Sequence, residues 1–442
     1  MSVNPLAPSW LRHPDDANAL AANVWSRSAT RSDDGELVIA GLGATEIVST
    51  FGTPVYVVDE ADVRGRARGI RAAFDDAFAA IGSSARVYYA GKAFLSTRVA
   101  AWMIEDGLNI DVCSAGEFAV AIAGGAETAR LGLHGNNKSI SEIDRAVSAG
   151  IGAIVIDSVV EVERVAEAAS RHGRVQPVRL RVNSGVHAHT HEYLATARED
   201  QKFGIPLAEV EGVVAQIRSH GSLEFLGLHS HIGSQIFESD GFAEAASRLF
   251  DVHARLLEGG PVPELNLGGG FGIAYTSSDD ALPVDVLATR IAAIVAAAAE
   301  KHGVPVPIVA VEPGRSIIGP STTTLYEVGT IKDVLVSVPE ALEGFEGQTA
   351  TRKYVSIDGG MSDNIRPALY AADYSARIAN RSSDADPALV RVAGKHCESG
   401  DIVVHAEYLP GDVAPGDLLA VPATAPTAGR WRATTTTSHG RP

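Results

Sequence analysis

Val87-Tyr88-Tyr89-Ala90-Gly91-Lys92-Ala93-Phe94 is an apolar run that closes on a glycine and a lysine. A helix-period stretch over 96–107 follows it. A short apolar run, a turn and an amphipathic stretch read as a buried strand feeding a helix. The unit then recurs. Apolar runs lie at 86–90, 109–113, 130–134, 153–157, 177–183, 225–231, 264–267 and 308–311. Helical patterns lie between them at 139–149, 159–171, 207–220, 243–258 and 284–302, the first opened by a capping box of Ser139 and Glu142. Eight units between residues 86 and 313 have the rhythm of a (β/α)8 TIM-type barrel, which takes about 250 residues. A doubly wound open sheet has the same alternation and remains the alternative.

Beyond residue 320 the rhythm changes. Segments 322–336, 353–357, 389–392, 401–408 and 417–421 are strand-like, with turns at Asp358-Gly359-Gly360 and Pro410-Gly411 and no long helix between them. This predicts a C-terminal, mainly antiparallel β domain. Segments 37–39 and 55–58 are also strand-like. The expected division is 1–58 as an N-terminal segment contributing strands to the β domain, 59–318 as the barrel, and 319–442 as the β domain.

A chain of 442 residues exceeds one small core and fits two domains. The formal net charge of −17 and the lack of a basic run argue against nucleic acid as a partner. No apolar stretch reaches the roughly 18 residues that span a bilayer. The N-terminus lacks a basic-then-apolar leader pattern, and the two cysteines, Cys113 and Cys397, have no metal-type spacing. A reducing cytoplasm is the expected compartment.

In a barrel, chemistry collects where strands end. Those ends carry Lys92, Asp111, His134, Asp157, Arg181, His231, Gly268-Gly269-Gly270 and Glu312-Pro313-Gly314-Arg315. A lysine at a strand mouth, once desolvated, supplies the neutral amine that forms Schiff bases, although most such lysines are simply solvated. The loops after strands seven and eight often hold phosphate. Here they offer glycines with bare N–H groups and a guanidinium. Phosphate plus a Schiff-base lysine suggests pyridoxal 5'-phosphate, with Glu312 placed for the pyridine nitrogen. His231 or Ser234 can stack on the ring; the alternative for His231 is a hydrogen-bonded core histidine.

These stretches occur together as YAGKAF (89–94), DVCSAGE (111–117), HGNNKS (134–139), HTHEYLATAREDQKFG (189–204), GLHSHIGSQIF (227–237), LNLGGGFGIAY (265–275), EPGRSI (312–317), GGMSDNIRPALY (359–370) and KHCESGD (395–401). In order and spacing, from about residue 37 to Thr424, the set resembles the diaminopimelate decarboxylase family of fold-type III pyridoxal-phosphate enzymes. The resemblance implies decarboxylation of meso-2,6-diaminopimelate to L-lysine, the last step of lysine biosynthesis. It implies Lys92 as the Schiff-base lysine, His231 stacking on the ring, Ser234 with Gly268, Gly269 and Gly270 around the phosphate, and Glu312 at the ring nitrogen. Asp111, Pro313, Gly314 and Arg315 complete the cofactor site. Arg315, Arg366 and Tyr370 would hold substrate carboxylates, Glu398 the distal ammonium, and Cys397 the proton that is returned. Cys397 and Glu398 would reach into the partner subunit's site in a head-to-tail homodimer. Alternatives are a related decarboxylase of the ornithine or arginine type, or a cofactor-binding protein with little turnover.

One departure motivates that last alternative. The family ending, of the form GAYGRSMASNYN, carries a tyrosine that contacts cofactor and substrate. Here Ala425 begins APTAGRWRATTTT instead, the reading obtained from such an ending in a GC-rich gene shifted by one nucleotide. Residues 425–442 are therefore expected to be a frameshifted tail, with Thr427 where the tyrosine belongs.

Overall fold

A computed structural model describes residues 4–185, 202–231, 233, 235, 240–338 and 348–425. Eight parallel strands form the first sheet: β1 (Ala85–Ala90), β2 (Asn109–Val112), β3 (Leu131–Leu133), β4 (Ala153–Ile156), β5 (Gln176–Asn183), β6 (Leu223–His229), β7 (Glu264–Asn266) and β8 (Ile308–Val311). Each pairs with the next, β4 pairs with β5, and β8 returns to β1 through Val309 opposite Ala85. That last pairing closes the barrel and excludes the open sheet. A two-residue strand, Ile205–Pro206, hangs on the edge of β5.

The strands form where the sequence is apolar and β-branched; Ala153–Ile156 is buried at every residue. The helices outside start on capping side chains. Ser96 accepts from the Val99 N–H and Ser114 from the Glu117 N–H. The predicted capping box at Ser139 and Glu142 is present, and Glu142 also accepts from the Ala115 N–H at 2.9 Å, tying two helix starts together.

Charge also holds the barrel interior. Arg179 of β5, 1% exposed, donates to Glu264 of β7 at 2.7 and 2.9 Å and to the Tyr88 hydroxyl of β1 at 3.0 Å. Arg86 of β1 takes the other Glu264 oxygen. Nε and Nη2 are matched in this way, which makes the burial tolerable, while Nη1 has no hydrogen bond among the described residues.

The chain makes two compact units. The barrel unit is Arg64–Gly272 with Ala281–Ile317. The β unit is Met1–Val63, Ile273–Asp280 and Ile318–Pro442. The β unit contains a seven-stranded sheet. Along it run Arg377–Ile378, Leu418–Pro422, Thr322–Ser337, Thr349–Ile357, Pro387–Ala393 and Ile402–Pro410, and Val55–Val58 pairs with Thr322–Leu325 off this path. All pairings are antiparallel except that of Thr349–Ile357 with Pro387–Ala393. Its core packs Tyr326, Val355, Ile357, Val392, Val404 and Leu419. Leu37–Ile39 stands apart, forming a small sheet with Thr30–Arg31 and Leu42–Gly43. Among the described residues no helix is long and apolar enough to cross a membrane.

Candidate active site

The chemistry-bearing residues of the barrel unit sit just past its strands. After β1 the backbone makes one 3-10 turn, Gly91–Ala93. The Tyr89 hydroxyl donates to the Phe94 carbonyl at 2.5 Å across this turn. The Ala90 N–H donates to the Pro313 carbonyl at 3.1 Å, so the loops bearing Lys92 and Glu312 are joined. Gly314 permits the approach: a Cβ there would lie 2.9 Å from Ala93 Cβ. Lys92 itself is exposed. The premise of a lysine buried at the strand mouth is therefore corrected: Lys92 is open to solvent, and its charge acts on the neighbouring His231.

Glu312 is the centre of a buried cluster. Its Oε1 accepts from Asn266 Nδ2 at 2.8 Å. The same oxygen lies 2.9 Å from His229 Nε2 and 3.7 Å from His134 Nε2. Among the described residues, Oε2 has no such partner. Burial alone would raise the carboxyl's pKa, but the two imidazoles hold it well below the usual range. His229, 1% exposed, is pushed down to about 4 by burial. It is therefore neutral near pH 7.

Asp111 lies beside this cluster, with Oδ1 3.0 Å from His134 Nε2. Burial raises its pKa, His134 opposes and Glu312 reinforces the rise. The angles are poor. Both Asp111 oxygens, both His229 nitrogens and His134 Nε2 are buried without a well-formed hydrogen bond among the described residues. Single atoms of this kind occur elsewhere, as at Trp25 Nε1 and Arg179 Nη1, but here five gather in one cluster, which fits a site that lacks a partner.

His231 follows β6 by two residues. Its Nδ1 accepts from the Gly269 N–H at 3.3 Å, which places the ring proton on Nε2. Burial first, then the positive charge of Lys92, pushes its pKa down to about 3. Two expectations for the triple glycine change here. The Gly268 N–H is committed to Asn266 Oδ1 at 2.8 Å and the Gly269 N–H to His231. Neither is bare toward an anion. Instead Gly268 has φ +70°, and a Cβ on Gly269 would collide with the Glu312 carbonyl. Gly270 follows with φ +98°, and Arg315 begins a short helix, Arg315–Ile318. Ser234 lies outside the described residues, as does most of the 189–204 motif.

Asp157, Arg181 and Lys138 form a neighbouring group. Lys138 Nζ reaches Glu161 at 2.9 and 3.2 Å and the Gly135 carbonyl at 2.5 Å. Arg181 stands 4.1 Å from the Phe203 ring centre and 3.8 Å from Asp157.

In the β unit, Arg366 and Tyr370 share the short helix Arg366–Tyr370. The Arg366 guanidinium stands 5.1 Å from the ring centre of Tyr275 and 5.5 Å from that of Tyr370. Tyr370 is exposed. Cys397 and Glu398 are exposed on the loop before Ile402–Pro410. The buried Asp401 accepts from the Met361 N–H at 2.5 Å and the His396 N–H at 2.8 Å, pinning the 359–361 and 395–398 loops together. The sequence reading missed Asn266 and His229 as members of the Glu312 cluster. An amide two residues before three glycines, at the end of a strand, was the available signal.

Residues 66–319 match the family described as pyridoxal-dependent decarboxylase, pyridoxal binding domain. The chain is 49% identical over 92% of its length to a protein of Mycobacterium tuberculosis named diaminopimelate decarboxylase, covering 89% of it. A Bacillus subtilis protein of the same name is 40% identical over 89% of this chain and 86% of its own. The structure of diaminopimelate decarboxylase from M. jannaschii in complex with L-lysine superposes with a TM-score of 0.80, at 28% identity, covering 90% of this chain and 88% of that one. The chain belongs to the diaminopimelate decarboxylase family of pyridoxal-dependent decarboxylases.

Proposed function

We propose that this chain converts meso-2,6-diaminopimelate into L-lysine and carbon dioxide, using pyridoxal 5'-phosphate held at the ends of the barrel strands. The state of Glu312 carries the chemistry. It is a buried carboxylate kept ionised, with one oxygen accepting from Asn266 and lying 2.9 Å from His229 Nε2 and the other accepting no hydrogen bond among the described residues. That arrangement fits a protonated pyridine nitrogen. The orphaned polar atoms of Asp111, His134 and His229 fit a polar group that completes the cluster. The names of the relatives, at up to 49% identity, support the substrate.

When bound, the cofactor supplies an aldehyde that joins an amine and a ring that accepts the electron pair left as carbon dioxide departs. The rest falls to side chains. Lys92, open to solvent, would supply the amine that holds the cofactor's aldehyde. Glu312 Oε2 keeps a proton on the ring nitrogen. His231, neutral and fixed by Gly269, would stack on the ring. Gly270, Ser234 and Arg315 would hold the phosphate, with Pro313 and Gly314 shaping the turn after the eighth strand.

Arg315 and Arg366 offer forked donors to the substrate's two carboxylates, with Tyr370 beside Arg366. Glu398 takes the distal ammonium. Cys397 Sγ delivers the proton that replaces the lost carboxylate. We place Cys397 and Glu398 in the partner subunit's site, which makes the working form a homodimer. Carbon dioxide release from meso-diaminopimelate, ornithine and arginine tests the reading. Diaminopimelate should be preferred; preference for ornithine or arginine would assign the chain to that second type of decarboxylase.

A further inference from the structure

We propose that Asn266 is a positioning residue for the cofactor: its amide ties the Gly268 turn to Glu312 and commits Oε1, so that Oε2 alone faces the pyridine nitrogen. The inference rests on the cofactor reading above.

Asn266 is fully buried at the end of β7. Its Oδ1 accepts from the Gly268 N–H at 2.8 Å and its Nδ2 donates to Glu312 Oε1 at 2.8 Å. The amide has one orientation only. Flipping it would set an oxygen against a carboxylate and an NH2 against an N–H. The backbone closes the same ring of contacts: the Glu312 N–H donates to the Gly268 carbonyl, and the Ser230 N–H donates to the Asn266 carbonyl, both at 2.9 Å. One side chain thus fixes both the turn that carries Gly269 to His231 and the carboxylate that would meet the ring.

The chemistry requires asparagine. An aspartate would still accept from Gly268, but its second oxygen would stand against Glu312. One of the two carboxyls would then take up a proton, and the ring nitrogen would lose a fully anionic partner.

The test titrates pyridoxal phosphate into the full-length apoprotein, following cofactor absorbance and its pH dependence, for wild type, N266D, E312Q and the double variant. N266D should bind about ten- to a hundredfold more weakly, the scale of one hydrogen bond to a charged group, with a shifted pH dependence of the absorbance. E312Q turns its NH2 toward the ring, because its oxygen must face the Asn266 amide. In the double variant the carboxylate introduced by N266D accepts that NH2, neutral His229 takes the tautomer that leaves Nε2 unprotonated, and the oxygen of the amide introduced by E312Q turns to the ring. The double variant should therefore bind more tightly than either single one, whereas a merely structural Asn266 predicts additive losses.

Wild-type affinity and pH dependence in folded N266D, or additive losses in the double variant, would overturn the proposal. Should N266D not fold, the double variant must restore folding; failure to do so also overturns it. A wild-type protein that takes up no pyridoxal phosphate would sink the cofactor reading instead.

Discussion

Two buried charged groups occupy neighbouring ends of the barrel strands, and they are built differently. Between Lys138 and Glu161 every polar atom is matched: the ammonium has three oxygen contacts, and Glu161 also accepts from the Asp157 N–H at 2.8 Å. Around Glu312 the count falls short, with Asp111, His134 and His229 left holding buried, unsatisfied atoms. Desolvated charge costs about several kcal/mol per ion unless it is answered. The Lys138–Glu161 pair is answered within the protein and reads as scaffold. The Glu312 cluster waits for a ligand. Burial and charge alone would not have distinguished them; the five unsatisfied atoms gathered around Glu312 do.

The contrast makes opposite predictions for one substitution in each group. Glu312→Gln should lower turnover on the order of 10²- to 10³-fold, the usual cost of one preorganised electrostatic contact, with a smaller loss of stability than the scaffold substitution. Lys138→Met leaves Glu161 buried and unpaired. It should cost about 3–5 kcal/mol of stability with cofactor affinity retained, read by denaturant unfolding and cofactor titration. If the two variants exchange phenotypes, the division into scaffold and site is wrong.

Much of this was legible in advance. The eight barrel strands announce themselves because fully buried parallel strands must be continuous apolar runs. The motif residues at their ends follow from where a barrel displays function. What was not legible has physical causes. Arg179 and Glu264 sit inside apolar runs, and only the fold shows that they answer each other. Asn266 and His229 were hidden the same way. The 3-10 turn at Gly91–Ala93 that exposes Lys92 is set by the loops around it and leaves no period to read. Leu37–Ile39 has a strand's composition, but composition does not name the partner strand.

The C-terminal tail bears on the same contrast, since a site that waits for a ligand also needs every substrate contact. The described residues run through Ala425. Thr424 is buried, its hydroxyl 2.6 Å from that of Thr324, so the β unit is intact up to the point where the family ending diverges. The remaining residues, 426–442, lie outside the described residues. Replacing 425–437 with an ending of the GAYGRSMASNYN form should raise turnover at least about tenfold, the scale of one regained hydrogen bond to a charged group. No gain would make the tail irrelevant to activity. Resequencing the 3' end of the gene tests the frameshift itself.

A smaller effect should appear with pH. His229 and His231 titrate near 4 and 3 in the folded chain against an ordinary value of 6.5. Between those values the unfolded chain binds more protons, so stability rises with pH across that window and is flat above it. Glu312, held low, acts in the same direction below its ordinary value of 4.5. Thermal midpoints should fall as pH drops from 6.5 toward 4, and His229→Asn should flatten part of that slope. A slope unchanged by the substitution would show that His229 is not the source.

The central claim is that Lys92 and the unsatisfied Glu312 cluster together hold one pyridoxal phosphate. Borohydride reduction of the protein loaded with pyridoxal phosphate, followed by peptide mass mapping, tests it most directly. The account predicts reduced cofactor on the peptide containing Lys92, none on Lys92→Ala, and little on Glu312→Gln at a cofactor concentration that saturates wild type. Label on a different lysine, or undiminished label in the Lys92→Ala protein, would contradict it.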